Sequence, residues 1–127
     1  MDKALVLKLP PSVNHMYVTA KIRGRNIRVL RKHANDWFNE ALEKVRQYII
    51  EEKWEMKSQK IILEIYLYYP NLKTRDSHNM LKILLDVLER GGIYSNDKYA
   101  LPRIMDFTLD KSHPRIEIFF SVFNKEG

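Results

Sequence analysis

Five side chains between residues 76 and 97 are of the types that phosphate chemistry uses: Asp76, His78, Lys82, Asp86 and Asp97. Carboxylates and an imidazole hold divalent cations, and a nearby ammonium steadies the negative charge that builds during phosphoryl transfer. Each residue also has an ordinary structural use. Asp76 is a good N-cap or first-turn acid, and Asp97 suits a turn. Lys82 and Asp86 form an i, i+4 pair worth about a few tenths of a kcal/mol. The residues alone leave two readings open: the solvated ends of an ordinary helix, or a metal site.

The elements that must position them can be read from the same stretch. A helix is predicted from near Ser77 or His78 to the stop at Gly91-Gly92. At 100° per residue, Leu81, Leu84, Leu85 and Leu88 form one stripe, with Met80 and Val87 at its margin. Asn79, Lys82 and Asp86 fall within about 60° of one another on a different face, with His78 one turn before Lys82. Asp76 precedes the helix, where backbone N–H groups and the helix dipole favour anions. Asp97 follows "GGIYSN" on a loop able to fold back.

The rest of the chain supplies a frame. "ALVLKL" reads as a short strand that stops at Pro10-Pro11, and "MYVTAKI" and "NIRVL" as a hairpin with its tip near Gly24. Over residues 34–49, Ala34, Trp37, Phe38, Ala41, Leu42, Val45, Tyr48 and Ile49 keep helical spacing, so Trp37 and Phe38 are predicted core. "KIILEIYLYYP" reads as a strand over roughly 59–69, with Ile61, Leu63, Ile65 and Leu67 on one face and Glu64, Tyr66 and Tyr68 on the other. Those tyrosines offer either a stacking surface for bases or cover for a helix or a subunit interface. Two final strands, near 102–109 and 115–123, are expected to form a hairpin through "DKSHP". This order predicts an α+β fold, a two-layer sandwich with two main helices on one face of a mixed sheet, in one domain over 1–127.

Composition narrows the function classes. The chain has 127 residues, 45% hydrophobic and 30% charged, which is globular rather than disordered. Without cysteine there is no disulfide framework, thiolate zinc site or cysteine nucleophile. No segment reads as a signal peptide or approaches the ~20 apolar residues of a membrane span, so a cytoplasmic protein without a membrane partner is expected. The net charge of +6 is unevenly placed. Residues 1–35 hold eight Lys/Arg against one acid, and the remainder fourteen against fifteen. The surplus gathers in Lys21, Arg23, Arg25, Arg28, Arg31 and Lys32, either a polyanion-binding segment or a solvated basic hairpin.

The run "RDSHNMLK", then "LLDVL", then "GGIYSND" resembles the signature of the RusA family of Holliday junction resolvases. Upstream, "LPPSVNHMY" resembles that family's Pro-Pro-Ser-x-Asn segment, and "GRN" its basic Gly-Arg turn. The resemblance implies a RusA-like fold and a divalent-metal-dependent endodeoxyribonuclease acting on four-way junctions and related branched DNA in recombination and repair. It implies a homodimer, without an organic cofactor. Asp76 matches the first acid of the metal-binding pair, Asp97 the catalytic acid of the second cluster, Lys82 the essential lysine and Asn79 the asparagine after the acids. Two positions depart: His78 stands where the family usually has an aspartate, and Asn96 where it often has an acid. Magnesium prefers oxygen ligands, so His78 moves the expected preference toward manganese.

The mechanism implied is phosphodiester hydrolysis. Asp76 and Asp97, with His78 as a third ligand or as support behind them, would hold one or two Mg²⁺ or Mn²⁺ ions, which would lower the pKa of a water and shield the phosphate. Lys82 stabilises the charge that develops, and Asn79 and Asn96 support the site. Lys21, Arg23, Arg25, Arg28, Arg31, Lys32 and Arg75 bind the DNA backbone. Asp86 is read as a helix-face partner of Lys82 or Arg90, outside the metal's ligands. Two other classes remain: a branched-DNA-binding protein that lost catalysis with its acids, and an RNA-binding domain that stacks bases on Tyr66, Tyr68 and Tyr69. His15, His33 and His113 show no spacing that ties them to the site.

Overall fold

The computed structural model of the protein describes residues 3–11, 17–30, 32–71 and 80–124. In chain order these form β1 (Leu5–Leu7), β2 (Tyr17–Ile22), β3 (Arg25–Leu30), α1 (Lys32–Glu52), β4 (Ile61–Tyr69), α2 (Leu81–Gly91), β5 (Ala100–Leu109) and β6 (Arg115–Val122). A 3₁₀ turn at Asp97–Tyr99 leads into β5. Four strands make a mixed sheet in the order β1-β6-β4-β5, while β2 and β3 pair as a separate two-stranded sheet. The α+β class expected from the sequence is the class observed.

β4 shows why the sheet forms. Its odd-numbered residues from Ile61 to Tyr69 are buried and the even ones half-buried, the period-two burial that a one-sided strand requires. Leu5 and Leu7 of β1 and Ile116, Ile118 and Phe120 of β6 extend the same apolar face, in register with it. Against it lie Trp37, Phe38, Ala41, Val45 and Tyr48 of α1 and Ile83, Leu84, Val87 and Leu88 of α2. The rings of Tyr48 and Trp54 meet Phe120 at 5.8 and 5.4 Å. Two buried donors then tie β1 to α1: Tyr48 Oη donates to Lys3 O at 2.9 Å and Trp37 Nε1 to Lys8 O at 2.8 Å. Trp37 and Phe38 are core, as their helical spacing predicts.

The predicted hairpin tip is also observed. Ile22 pairs with Arg25, and the two turn residues, Arg23 and Gly24, have φ of 53° and 78°. Two positive φ values match the strand twist of a two-residue hairpin, and glycine adopts them without a Cβ penalty. α1 is longer than the apolar periodicity over 34–49 implies and is followed directly by Lys53, whose φ is 52°. α2 stops where the glycine pair predicts. Gly92, at φ 102°, donates to Leu88 O and Glu89 O, and Ile93 N–H returns to Leu88 O at 3.0 Å. The predicted start of α2 near Ser77 or His78 lies outside the described residues. Its buried stripe is Ile83, Leu84, Val87 and Leu88, with Leu81 and Leu85 half-buried, so the helix is rotated slightly from the expected face.

One topological expectation is overturned. β5 and β6 are not a hairpin, because β4 lies between them, parallel to β5 and antiparallel to β6. α2 returns the chain to the start of β4, and such a crossover is what lets neighbouring strands run parallel. Residues 110–114 then pass across the end of β4, where Asp110 N–H donates to Tyr69 O at 2.8 Å. Arg115 braces this passage through Asp110 Oδ2 and Glu117 Oε2, both at 2.8 Å. Apolar alternation marks a strand and its inward face but leaves its neighbour open. β5 also carries a bulge. The register jumps from Ile65↔Ile104 to Tyr66↔Asp106, which leaves Met105 as the extra residue. No described helix is long and apolar enough to cross a membrane.

Candidate active site

α2 arranges the polar residues. Lys82, Asp86 and Glu89 stand at i, i+4 and i+7, on one side of the helix within about 60° of arc. Lys82 and Glu89 are exposed and Asp86 is half-buried. The chain leaving α2 is pinned at several points. Tyr94 is fully buried and its hydroxyl donates to Leu85 O at 2.8 Å. Ser95 N–H donates to Lys57 O at 2.9 Å, Trp54 Nε1 to Ile93 O at 3.0 Å, and the Ser58 and Ser95 hydroxyls meet at 2.8 Å. Asn96 caps the 3₁₀ turn by accepting from Lys98 N–H at 2.9 Å. Asp97 opens that turn, exposed, with its backbone N–H donating to Glu89 Oε1 at 2.6 Å.

Electrostatics place these groups in one patch. Burial holds the Asp86 carboxyl above the usual carboxylate range, and the charges of Asp97 and Glu89 push it the same way. Lys82 and Arg90 pull it back down. Beneath them, burial raises the Tyr94 hydroxyl far above its ordinary value, helped by Asp97, Glu89 and Asp86, so this tyrosine stays neutral. Asp86 and the Tyr94 hydroxyl therefore both feel the charges of Asp97 and Glu89, and Asp86 feels that of Lys82 as well.

Of the residues singled out in the sequence, Asp86 feels the charges of both Lys82 and Asp97, and Asn96 caps the turn that Asp97 opens. Arg75, Asp76, His78 and Asn79 lie outside the described residues. Among the described residues, no three His, Asp or Glu side chains are grouped to hold a metal ion. Asp97, exposed at the turn, offers carboxylate oxygens of the kind that a hard divalent cation takes. Glu89 does not stand out in the sequence, where it reads as one more solvated helix acid. Its position three residues after Asp86, on the same face, is the available signal. Asp86 belongs to the patch more fully than its reading as a partner of Lys82 or Arg90 implies.

Residues 8–120 match the profile of a family described as Endodeoxyribonuclease RusA. The chain belongs to the RusA family. It is 32% identical over 90 residues to the Crossover junction endodeoxyribonuclease RusA of Aquifex aeolicus (strain VF5), a match covering 71% of this chain and 67% of that relative. Membership makes the chain an endodeoxyribonuclease, and the matched residues run from just after β1 through the Asp97 turn into β6.

Of the basic residues expected to bind DNA in this RusA-family chain, the described ones fall on a hairpin and a helix start. Lys21, Arg23 and Arg25 are exposed at the β2–β3 tip, and Arg28 lies on β3. Lys32 is exposed at the start of α1, 3.4 Å from Asp36. Arg31 lies outside the described residues. So does His15, while His33 and His113 are exposed on other elements. Of the three tyrosines offered as a stacking surface, burial withdraws Tyr69, and the other two are engaged within the chain. Tyr69 is buried in the core, Tyr66 packs edge-on against Phe119 at 5.9 Å, and Tyr68 lies under the Arg115 guanidinium at 3.8 Å. A cavity of about 650 Å³ between β1, α1 and the 110–114 connection is lined by Leu7, Leu9, Trp37 and Pro114 and contains none of the patch residues.

Proposed function

We propose that this RusA-family chain is a divalent-metal-dependent nuclease that resolves Holliday junctions and related branched DNA by paired symmetric nicks. In this reading, one domain over residues 1–127 acts in the cytoplasm, in recombination and repair. The observation that carries it is the Asp97 turn, pinned so that an exposed acid stands beside the helix face bearing Lys82. The name of the Aquifex relative, a crossover junction endodeoxyribonuclease, supports the choice of substrate.

Asp76, His78 and Asp97 would hold Mg²⁺ or Mn²⁺, which when bound supplies a Lewis acid for the scissile phosphate and acidifies the attacking water. Lys82 supplies positive charge where the leaving oxygen becomes anionic. Asn96 keeps the Asp97 turn closed through its cap, and Asn79 supports the acid side of the site. Lys21, Arg23, Arg25, Arg28, Arg31, Lys32 and Arg75 neutralise phosphates and so set affinity rather than sequence. A four-way junction is close to two-fold symmetric, and two matched nicks need two matched sites, which a two-fold homodimer provides.

The test is cleavage of a labelled four-way junction by the wild type, Asp76→Asn, Asp97→Asn and Lys82→Met, each with Mg²⁺, Mn²⁺ and Zn²⁺. Wild type should nick opposite strands symmetrically. Lys82→Met should cut about a hundred- to a thousand-fold more slowly, and both Asp variants should bind the junction without cutting it. Retardation of the junction by wild type with no nicking under any of the three ions would replace the enzyme by a binding protein.

A further inference from the structure

The 3₁₀ turn that presents Asp97 has a hydrogen-bonding deficit at its start. The first N–H groups of any helical turn have no partner within it. Here Tyr99 N–H returns to Asn96 O at 3.1 Å, and the Asn96 side chain takes Lys98 N–H at 2.9 Å. The Asp97 N–H is left to an acceptor from outside the turn, and the Glu89 carboxylate fills that place at 2.6 Å. A charged acceptor at that separation makes one of the stronger hydrogen bonds available to a backbone amide.

After the turn, Ala100 N–H donates to Asp97 O and Ala100 pairs with Ile61 of β4, and the other side-chain anchors of this loop act before Asp97. Tyr94 is tied to Leu85, Ser95 to Lys57 and Ser58, and Ile93 to Trp54. Glu89 lies on α2, the same helix that carries Lys82, and on the same side of it. Its hydrogen bond therefore references the position of Asp97 to a rigid helix rather than to the loop.

We propose that Glu89 is a positioning residue for Asp97, holding the backbone amide from which the catalytic acid departs and so fixing its placement relative to Lys82. The proposal rests on the reading of Asp97 as a metal ligand and extends it by one residue. Glu89 acts as a hydrogen-bond acceptor to the backbone. That separates it from a ligand, which would need its charge.

Glu89→Ala and Glu89→Gln distinguish the two roles, because glutamine keeps an acceptor oxygen and loses the charge. Three measurements are made on the full chain: the Asp97 amide resonance in a ¹H–¹⁵N spectrum, Mn²⁺ binding without DNA, and junction nicking against Mg²⁺ concentration. In Glu89→Ala the Asp97 amide should move upfield, Mn²⁺ binding should weaken about ten- to a hundredfold, and half-maximal nicking should need correspondingly more Mg²⁺. Glu89→Gln should recover most of each loss. Mn²⁺ binding by Glu89→Ala equal to wild type overturns the proposal, as does a Glu89→Gln variant as impaired as the alanine one. Asp97→Asn measured alongside isolates the underlying reading. If that variant binds Mn²⁺ and nicks as wild type does, the site assignment fails, and the role of Glu89 falls with it even where its amide signal behaves as expected.

Discussion

Asp86 shows how several weak influences decide the state of one residue. Burial is the largest and the Asp97 charge reinforces it, while Lys82, the neighbour that i, i+4 spacing gives it, opposes them more weakly. Ionising this carboxyl is thus harder in the folded chain than in the unfolded one. A raised folded pKa means that native stability falls as pH rises from the ordinary aspartate value, about 3.9, through the raised one. Asp86→Asn should therefore melt at a higher temperature than wild type at pH 7, with the gain vanishing below pH ~3.5. Thermal melts of both proteins across that range check it, and an unchanged or lower melting temperature at neutral pH contradicts it. Lys82 and Asp97 can be picked out in the sequence because their types and order match a known signature. Glu89 cannot, because its partner is a backbone amide eight residues on, and sequence patterns record no backbone amides.

Gly91 and Gly92 close α2, and the sequence predicts them as a stop without showing that they also set a distance between helices. Gly92 takes the left-handed φ of 102° that ends the helix. Gly91 remains helical, and a Cβ added there would collide with the Val45 side chain of α1. An alanine would gain up to about 1 kcal/mol of helix propensity. It would also force α2 away from a β-branched residue with little rotamer freedom. Gly91→Ala should accordingly cost a net ~1–3 kcal/mol, the usual penalty for overpacking, measured as a lower urea midpoint at unchanged slope; a midpoint equal to wild type would show that the two helices separate freely. Strand pairing is the element-level feature that the sequence hides. The alternation in β5 and β6 identifies both strands, and the short "DKSHP" connection suggests a hairpin. The neighbour of each strand is decided by where α2 returns the chain.

At the scale of the molecule, charge and chemistry occupy different parts. The exposed Lys21, Arg23 and Arg25 surround the tip of β2–β3, while Lys82, Asp86, Glu89 and Asp97 gather on α2 and the turn after it. The concentration of basic residues in the first quarter of the chain is evident from counting. That half of them sit on a separate two-stranded sheet is not. Replacing Lys21, Arg23 and Arg25 together by alanine should weaken junction binding at low salt. It should also flatten the dependence of log K on log salt by about 0.9 for each phosphate no longer neutralised. Retardation assays from roughly 50 to 200 mM salt measure that slope, and a value equal to wild type would assign the binding elsewhere.

Among the described residues, the ladder hydrogen bonds of β2 and β3 join only those two strands, apart from the four-stranded sheet. The hairpin can therefore be lengthened, shortened or recharged without disturbing the register that holds the Asp97 turn in place. Under the proposed function, how long the protein dwells on a given branched substrate would be an adjustable attachment, while the scissile machinery would belong to the frame.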